Sequence, residues 1–155
     1  VPVLSGNTDF TASAWVLPYG VSGTRTVLGN AGVSNPNGVS LTISSQRAAI
    51  NASGGGVASQ STLPSGSWVH LAATRKSGNV TIYVNGIAEA STASNGSITP
   101  SLNFEIGNSR DPNTYFTGLI DEVRIYGKAL SEGEVSALYR DTGLLSNRTL
   151  VSSEG

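Results

Sequence analysis

The segment 108–115 is the densest run of polar side chains in the chain, and it ends in an aromatic residue. Amide, carboxylate and guanidinium groups hydrogen-bond to sugar hydroxyls, while an aromatic ring packs against the apolar face of a pyranose. A tyrosine and an arginine elsewhere in the chain offer the same chemistry. The expected carbohydrate-binding residues are Arg110, Asp111, Asn113, Tyr115, Tyr19 and Arg47. The alternative is an ordinary hairpin loop whose Tyr115 packs on the rim.

A second group of candidates lies in one predicted strand. Strand alternation places Asp121 on the face of Val123 and Ile125, where a buried carboxylate needs a partner. Glu122 and Arg124 fall on the opposite face. There we expect a cross-strand ion pair of modest strength rather than a role on a ligand-binding concave face.

The scarcity of soft ligands limits the metal chemistry. The chain has no cysteine, and His70 is its one histidine, so a zinc-type cluster cannot be assembled from these side chains. A hard ion held by oxygens remains open. His70 alternates with Trp68 and Ala72 in a predicted strand, and we interpret it as a framework residue.

Catalysis is not expected. Retaining glycosidases need two carboxyl groups about 5 Å apart on the sugar-facing surface. Glu105 stands alone, and Asp121 and Glu122 are adjacent and therefore point to opposite faces of a strand. The sequence also lacks a nucleophile elbow and a phosphate-binding loop.

The elements that must position these residues are mostly strands. Apolar and polar residues alternate with period 2, and turn pairs such as Asn37-Gly38 and Asn85-Gly86 separate the segments. The predicted strands are 10–17, 24–29, 39–44, 47–51, 57–61, 68–75, 80–85, 87–90, 102–106 and 119–126. This pattern predicts an all-β fold, a two-sheet antiparallel jelly-roll sandwich.

One segment predicts a short C-terminal helix at 132–140. Ser131 and Glu134 have capping-box spacing, and Leu130 and Val135 have the spacing of a hydrophobic staple. We expect the helix to lie against the sandwich as a structural device. Residues 141–155 lose the periodicity and are interpreted as a tail or linker that follows a domain of residues 1–140.

Composition excludes some partners. Charged residues make up 12% of the chain, against roughly a quarter in an average soluble protein, and the net charge is −1. Without a run of Lys or Arg, nucleic acid is not an expected partner, and the apolar stretches are too short for membrane insertion. The low charge and hydroxyl-rich composition favour an extracellular or cell-surface location.

Three segments together resemble a known family. They are FTASAWVLP at 10–18, WVHLAATR with VTIYVNG at 68–86, and FTGLIDEVRIYGKALSEGEVSALY at 116–139. They are similar to the laminin-G-like, concanavalin A-like lectin/glucanase superfamily, a likeness that spans about residues 3–140. The resemblance implies a jelly roll with a concave face and long rim loops. It departs at the start, where the family's first strand is missing; residues 149–151 are one candidate to replace it.

The resemblance also implies a metal ion. In similar domains an Asp at the place of Asp121 binds a structural calcium ion together with backbone carbonyls. Asp9 or the turn at Gly29 could contribute here. The alternative is that Asp121 accepts hydrogen bonds from backbone amides or pairs with an arginine.

The expected function is therefore non-catalytic carbohydrate binding or adhesion. Such modules belong to larger extracellular proteins, so the expected partners are a glycan, a surface polysaccharide or a glycoprotein, together with the rest of a parent protein. A structural or assembly domain that makes protein contacts is the alternative, and a degenerate hydrolase is a third possibility.

Trp15 and Trp68 are assigned to the framework.

Overall fold

The computed structural model describes residues 4–32, 36–99, 103–108 and 111–141. Within these ranges the chain forms ten strands and one helix, and no helix is long and apolar enough to cross a membrane. The strands are β1 (Phe10–Pro18), β2 (Thr24–Gly29), β3 (Val39–Ser44), β4 (Arg47–Ala52), β5 (Gly55–Ala58), β6 (Val69–Lys76), β7 (Asn79–Val84), β8 (Ile87–Ala93), β9 (Glu105–Ile106) and β10 (Gly118–Tyr126). The helix is α1 (Glu132–Arg140).

The strands form two antiparallel sheets of five strands each. Sheet I has the order β10-β1-β6-β7-β8 and sheet II the order β5-β4-β3-β2-β9. The core lies between them and is filled by the alternate residues that the period-2 pattern assigned to one face, among them Phe10, Leu71 and Ile82 from sheet I. Burial of each large aliphatic or aromatic side chain contributes about 1.5–3 kcal/mol. The predicted two-sheet sandwich is confirmed.

Part of the outer face of sheet I is covered by α1. Leu130 and Val135 are buried there against Ala72 and Tyr83. The capping box is present: the Glu134 amide donates to Ser131 Oγ at 3.2 Å, and the Ser131 amide donates to Glu134 Oε2 at 2.8 Å. Both faces of β1 are therefore buried, and the helix predicted at 132–140 is confirmed.

The position of β5 differs from the prediction of 57–61, because the glycine run 54–56 was interpreted as a turn. Gly55 and Gly56 instead lie within the strand. A Cβ on Gly55 would lie 2.3 Å from the carbonyl oxygen of Ala93 in β8. Glycine is needed there because β5 and β8 approach each other closely where the two sheets meet.

A β-bulge in β10 overturns the expected direction of Asp121. The register with β1 shifts between Ser13 and Trp15, and Glu122 has a φ of 50°. The extra residue reverses the alternation, so that Ile120, Val123 and Ile125 all pack against the core, whereas Asp121 is exposed. The expectation that Asp121 shares a face with Val123 and Ile125 is wrong.

The bulge also sets the contact of Arg124 with Glu122. Arg124 Nη2 lies 2.9 Å from Glu122 Oε2, and Arg124 Nη1 lies 3.8 Å from Asp141 Oδ2. The ion pair was expected across strands but forms within one strand. It lies on the side of sheet I that carries α1, so it takes no part in a concave face.

Candidate functional site

A groove of about 690 Å³ opens on the outer face of sheet II. Its described lining is made of small and hydroxyl-bearing residues, with one basic and one acidic side chain. These residues are Thr24, Thr26, Ala31, Gly32, Pro36, Ser40, Thr42, Ser44, Ser45, Arg47, Ala49, Asn51, Gly56, Val57, Ala58, Asp111 and Thr114. The composition suits a ligand that offers many hydroxyl groups.

Alternation along β3 creates the centre of the groove. Val39, Leu41 and Ile43 point into the core, so Ser40 and Thr42 point outward. The strand register extends this polar row sideways.

In that register Thr42 pairs with Thr26 of β2, and Ser40 pairs with Asn51 of β4. Asn51 lies beside Gly56 of β5, where a Cβ would lie 2.0 Å from Asn51 Oδ1. Glycine therefore leaves space for the amide of Asn51 on the groove floor.

Sequence reasoning did not select these groove residues as a site. Ser40, Thr42 and Asn51 were assigned to strands, and serines and threonines are so common in this chain that none stood out. The available signal was the alternation in 39–44, where every second residue carries a hydroxyl. Recognising it as a site also required the knowledge that nothing in the described chain covers this face.

Arg47 stands at one side of the groove, as part of the expected site. Its Nη1 donates to the carbonyl oxygens of Ser59 at 2.9 Å and Gln60 at 2.8 Å. These bonds hold the guanidinium in place at the start of β4. The described chain has no carboxylate within salt-bridge distance of Arg47.

Asp111 stands on the side of β2. Its carbonyl oxygen accepts a 2.8 Å bond from Thr114 Oγ1, and the Thr114 carbonyl accepts a 2.8 Å bond from the Thr26 amide. Asn113 is exposed and does not line the groove; its carbonyl oxygen accepts a 2.8 Å bond from Arg25 Nη1. Arg110 lies outside the described residues.

The two expected tyrosines do not join Arg47 and Asp111. Tyr115 is exposed and does not line the groove, although it directly follows Thr114, which does. Tyr19 lies on the sheet I side, where its amide donates to the Thr117 carbonyl at 2.9 Å. The expected carbohydrate site is therefore divided between two places.

Tyr19 belongs to an apolar patch at this end of sheet I, formed with Leu17, Trp68 and Leu119. Leu17 pairs with Leu119, and continuation of the Val16–Val69 register places Trp68 on the other side of Leu17. Tyr19, Trp68 and Leu119 are 63%, 45% and 48% exposed. Trp15 is buried as a framework residue, whereas Trp68, directly before β6, is 45% exposed and is not the core residue that was expected.

The residues expected to hold calcium do not form one ligand set. Asp121 pairs with Trp15 of β1, whereas Asp9 directly precedes β1. The six-residue step along the strand from Asp9 to Trp15 separates the two carboxylates by about 20 Å. Asp9 Oδ1 accepts from the Ser77 amide, and Asp121 Oδ1 accepts from the Glu122 amide, each at 2.8 Å. Gly29 lies in sheet II. The part of the chain that the structure describes contains no group of three acidic or histidine side chains that could hold an ion.

His70 lies under α1, away from the groove. Its ring lies 5.1 Å from the Trp15 ring and 6.2 Å from the Tyr139 ring, measured between centroids. Burial, with a smaller effect of Arg124, lowers the pKa of His70 from 6.5 to about 4. A neutral imidazole in an aromatic cluster fits the framework role that the sequence predicted.

A two-sheet sandwich with one sheet covered by a helix and a polar groove on the other has the architecture of a lectin-like jelly roll. Residues 2–136 match the family described as the concanavalin A-like lectin/glucanases superfamily. The chain belongs to this superfamily. No curated protein matches it by sequence.

Solved structures share the fold. A Bacteroides ovatus protein described as carbohydrate-binding has a TM-score of 0.73 and 24% identity, over 87% of this chain but only 42% of its own length. Domain 4 of an extracellular arabinanase from Geobacillus stearothermophilus, in complex with arabinotriose, has a TM-score of 0.67 and 30% identity, over 88% of this chain and 68% of that one. The carbohydrate-binding module of a Ruminococcus gnavus sialidase, bound to sialyllactose, has a TM-score of 0.71 and 14% identity, over 90% of this chain and 95% of that one.

Proposed function

We propose that this domain is a non-catalytic carbohydrate-binding module and that its glycan lies in the groove on sheet II. The observation that carries the proposal is the row of outward hydroxyl and amide groups at Thr26, Ser40, Thr42 and Asn51, flanked by Arg47 and Asp111. Because strands hold these groups, little side-chain freedom is lost when a ligand binds.

The two charged residues stand on opposite sides of this row. Arg47 lies on β4, and Asp111 is bonded through Thr114 to β2, so β3 separates their strands by about 10 Å. Guanidinium donors on one side and carboxylate acceptors on the other match the two roles that a sugar hydroxyl can take in hydrogen bonding.

Two of the similar structures support a carbohydrate ligand. The arabinanase domain, at 30% identity, holds arabinotriose, and the sialidase module holds sialyllactose. Both are parts of enzymes, but glycoside hydrolysis uses a pair of carboxyl groups at the sugar. Asp111 is the one carboxylate among the described lining residues of the groove. This supports binding rather than catalysis.

The module would act as part of a larger extracellular or cell-surface protein. A shallow groove whose contacts are mainly hydrogen bonds favours weak binding at a single site. Repetition or attachment to a second binding domain raises the effective affinity by 10²-fold or more without any new contact, on the order expected for linked sites. Adhesion to a polysaccharide or glycoprotein follows from such multivalent attachment.

A glycan array followed by calorimetric titration of the best ligand tests the proposal. Thr42→Val removes one groove hydroxyl at constant shape and should weaken binding about fivefold, because a lost hydrogen bond costs on the order of 1 kcal/mol. Arg47→Ala should weaken it further. Thr81→Val is the matched control, because Thr81 lies on the outer side of sheet I. Unchanged affinity in both groove variants would contradict the proposal.

The alternative, an assembly module that makes protein contacts, is favoured by the apolar patch on sheet I. Aromatic residues that remain exposed among apolar neighbours are enriched in protein interfaces. Sedimentation velocity over a range of concentrations tests self-association through this patch. Association that Trp68→Ser abolishes would support assembly, provided that Ile87→Ser, a change at an exposed residue of β8, leaves it intact. A monomer at all concentrations would reject it.

A further inference from the structure

Arg75 is fully buried, and it points into the space between the sheets at the end of β6. Its guanidinium is surrounded by backbone carbonyl oxygens. Nε and Nη2 both donate to the oxygen of Ser94, with Nε at 3.0 Å; Nη2 also donates to Gly96 at 2.6 Å, and Nη1 donates to Gly6 at 3.3 Å. One side chain thus satisfies three carbonyl groups from two distant segments.

These segments join the N-terminal part of the described domain to the middle of the chain and to both sheets. Gly6 and Ile98 exchange two backbone hydrogen bonds of 2.8 Å. Ser94 Oγ donates to the Ala52 carbonyl in sheet II, and Ser53 Oγ donates to the Ser97 carbonyl. Arg75 stands at the meeting point of the N-terminal segment, the 94–98 segment and sheet I.

The charge of Arg75 is compensated by these carbonyl dipoles. In the described chain no carboxylate lies within salt-bridge distance of its guanidinium. Burial lowers the pKa of Arg75, and the charge of Asp9 partly offsets this effect. A buried cation without hydrogen-bond partners is strongly destabilising, so the carbonyl cluster and the cation depend on each other.

Backbone carbonyl oxygens are also among the ligands of calcium, which takes about six to eight oxygens in all, with carboxylates and waters among them. The residues that the family resemblance suggested for calcium do not meet at one point, whereas the carbonyl cluster beside the N-terminal segment is already filled by Arg75. We propose that the Arg75 guanidinium takes the structural role of a metal ion in this domain. Folding, and the glycan binding that rests on the proposed function, then need no calcium.

The first test compares thermal unfolding of the full chain in calcium and in a chelator. The inference predicts the same midpoint, because a ligand stabilises only when it binds the native state. A midpoint raised by calcium would overturn it. This measurement needs no glycan, so its outcome is independent of the proposed function.

The second test changes Arg75 itself. Arg75→Met keeps much of the volume but leaves the Ser94 and Gly96 carbonyls without the guanidinium donor, while the Gly6 carbonyl keeps the Ile98 amide. It should lower the midpoint by many degrees. Arg75→Lys keeps the charge with fewer directed donors, so its midpoint should lie between those of Arg75→Met and the unchanged protein. Arg140→Met, at an exposed arginine of α1, is the matched control and should change little. Equal midpoints for Arg75→Met and the unchanged protein would reject the inference.

A rescue experiment separates a cation site from general packing. Arg75→Ala should gain stability when methylguanidinium or calcium is added at millimolar concentration, whereas the unchanged protein should not. If Arg75→Ala does not fold alone, it is refolded from denaturant with each cation present, and the recovered far-ultraviolet β signal is measured. No gain in stability or in recovered fold with either cation would show a packing role and overturn the inference. Chelator-insensitive glycan binding is the final readout, and an absence of any binding would count against the proposed function alone.

Discussion

His70 shows how one buried side chain makes stability depend on pH. In the unfolded chain it titrates with a pKa of 6.5, whereas in the fold its pKa is lowered to about 4. Between these values the unfolded state binds more protons, so stability is lost as the pH falls from 6.5 towards 4. The shift corresponds to at most about 3 kcal/mol.

Replacing His70 should remove its contribution to the dependence of stability on pH. His70→Phe keeps an aromatic ring beside Trp15 and Tyr139 and removes a buried Nδ1 that has no hydrogen-bond partner among the described residues. Urea unfolding between pH 4 and pH 7 should show a smaller slope of stability against pH for the variant than for the unchanged protein. Parallel curves would mean that other groups cause the acid sensitivity.

At the scale of elements, the strands and the helix followed from local patterns because period-2 alternation and the Ser131–Glu134 capping box are local signals. Two departures had long-range causes. The bulge at Glu122 depends on the pairing of β10 with β1, and the strand at Gly55–Ala58 depends on the approach of β8. Neither contact is visible in a short window of sequence.

The β5 finding leads to a prediction for Gly55. Gly55→Ala places a Cβ 2.3 Å from the Ala93 carbonyl oxygen, and backbone must move to accept it. We expect a loss of about 2 kcal/mol, in the range of overpacked sites. Gly20→Ala is the matched control, because a Cβ there meets nothing within 4 Å. Chemical denaturation measures both, and equal stabilities would show that the sheets separate easily at this edge.

At the scale of the whole molecule, the two outer faces of the sandwich differ. Sheet I is covered by α1, and sheet II carries the groove. Sequence analysis predicted Arg47 and Asp111 as polar ligand contacts, and the fold brings both to the groove. It did not separate them from Tyr19, which adjoins sheet I, or from Tyr115, which follows Thr114 without lining the groove. Neither placement is visible in the local sequence, because each depends on how the chain packs between the sheets.

The same limit explains the overlooked groove floor. Hydroxyl-bearing residues at alternate positions of β3 are typical of any solvent-facing strand. They become a candidate site only when β2 and β4 place Thr26 and Asn51 beside them. The resemblance to the superfamily gave the architecture, while the position of the groove came from the assembled sheet.

The most direct test of the central claim maps the glycan on the protein by nuclear magnetic resonance. A glycan selected on the array is titrated into labelled protein, and the shifts of backbone amides and of the two tryptophan indoles are followed. Binding in the groove predicts shifts at Ser40, Thr42 and Asn51, with the indole signals of Trp15 and Trp68 unchanged. Shifts confined to Trp68, Tyr19 and Leu119 would place the ligand on the apolar patch and contradict the account.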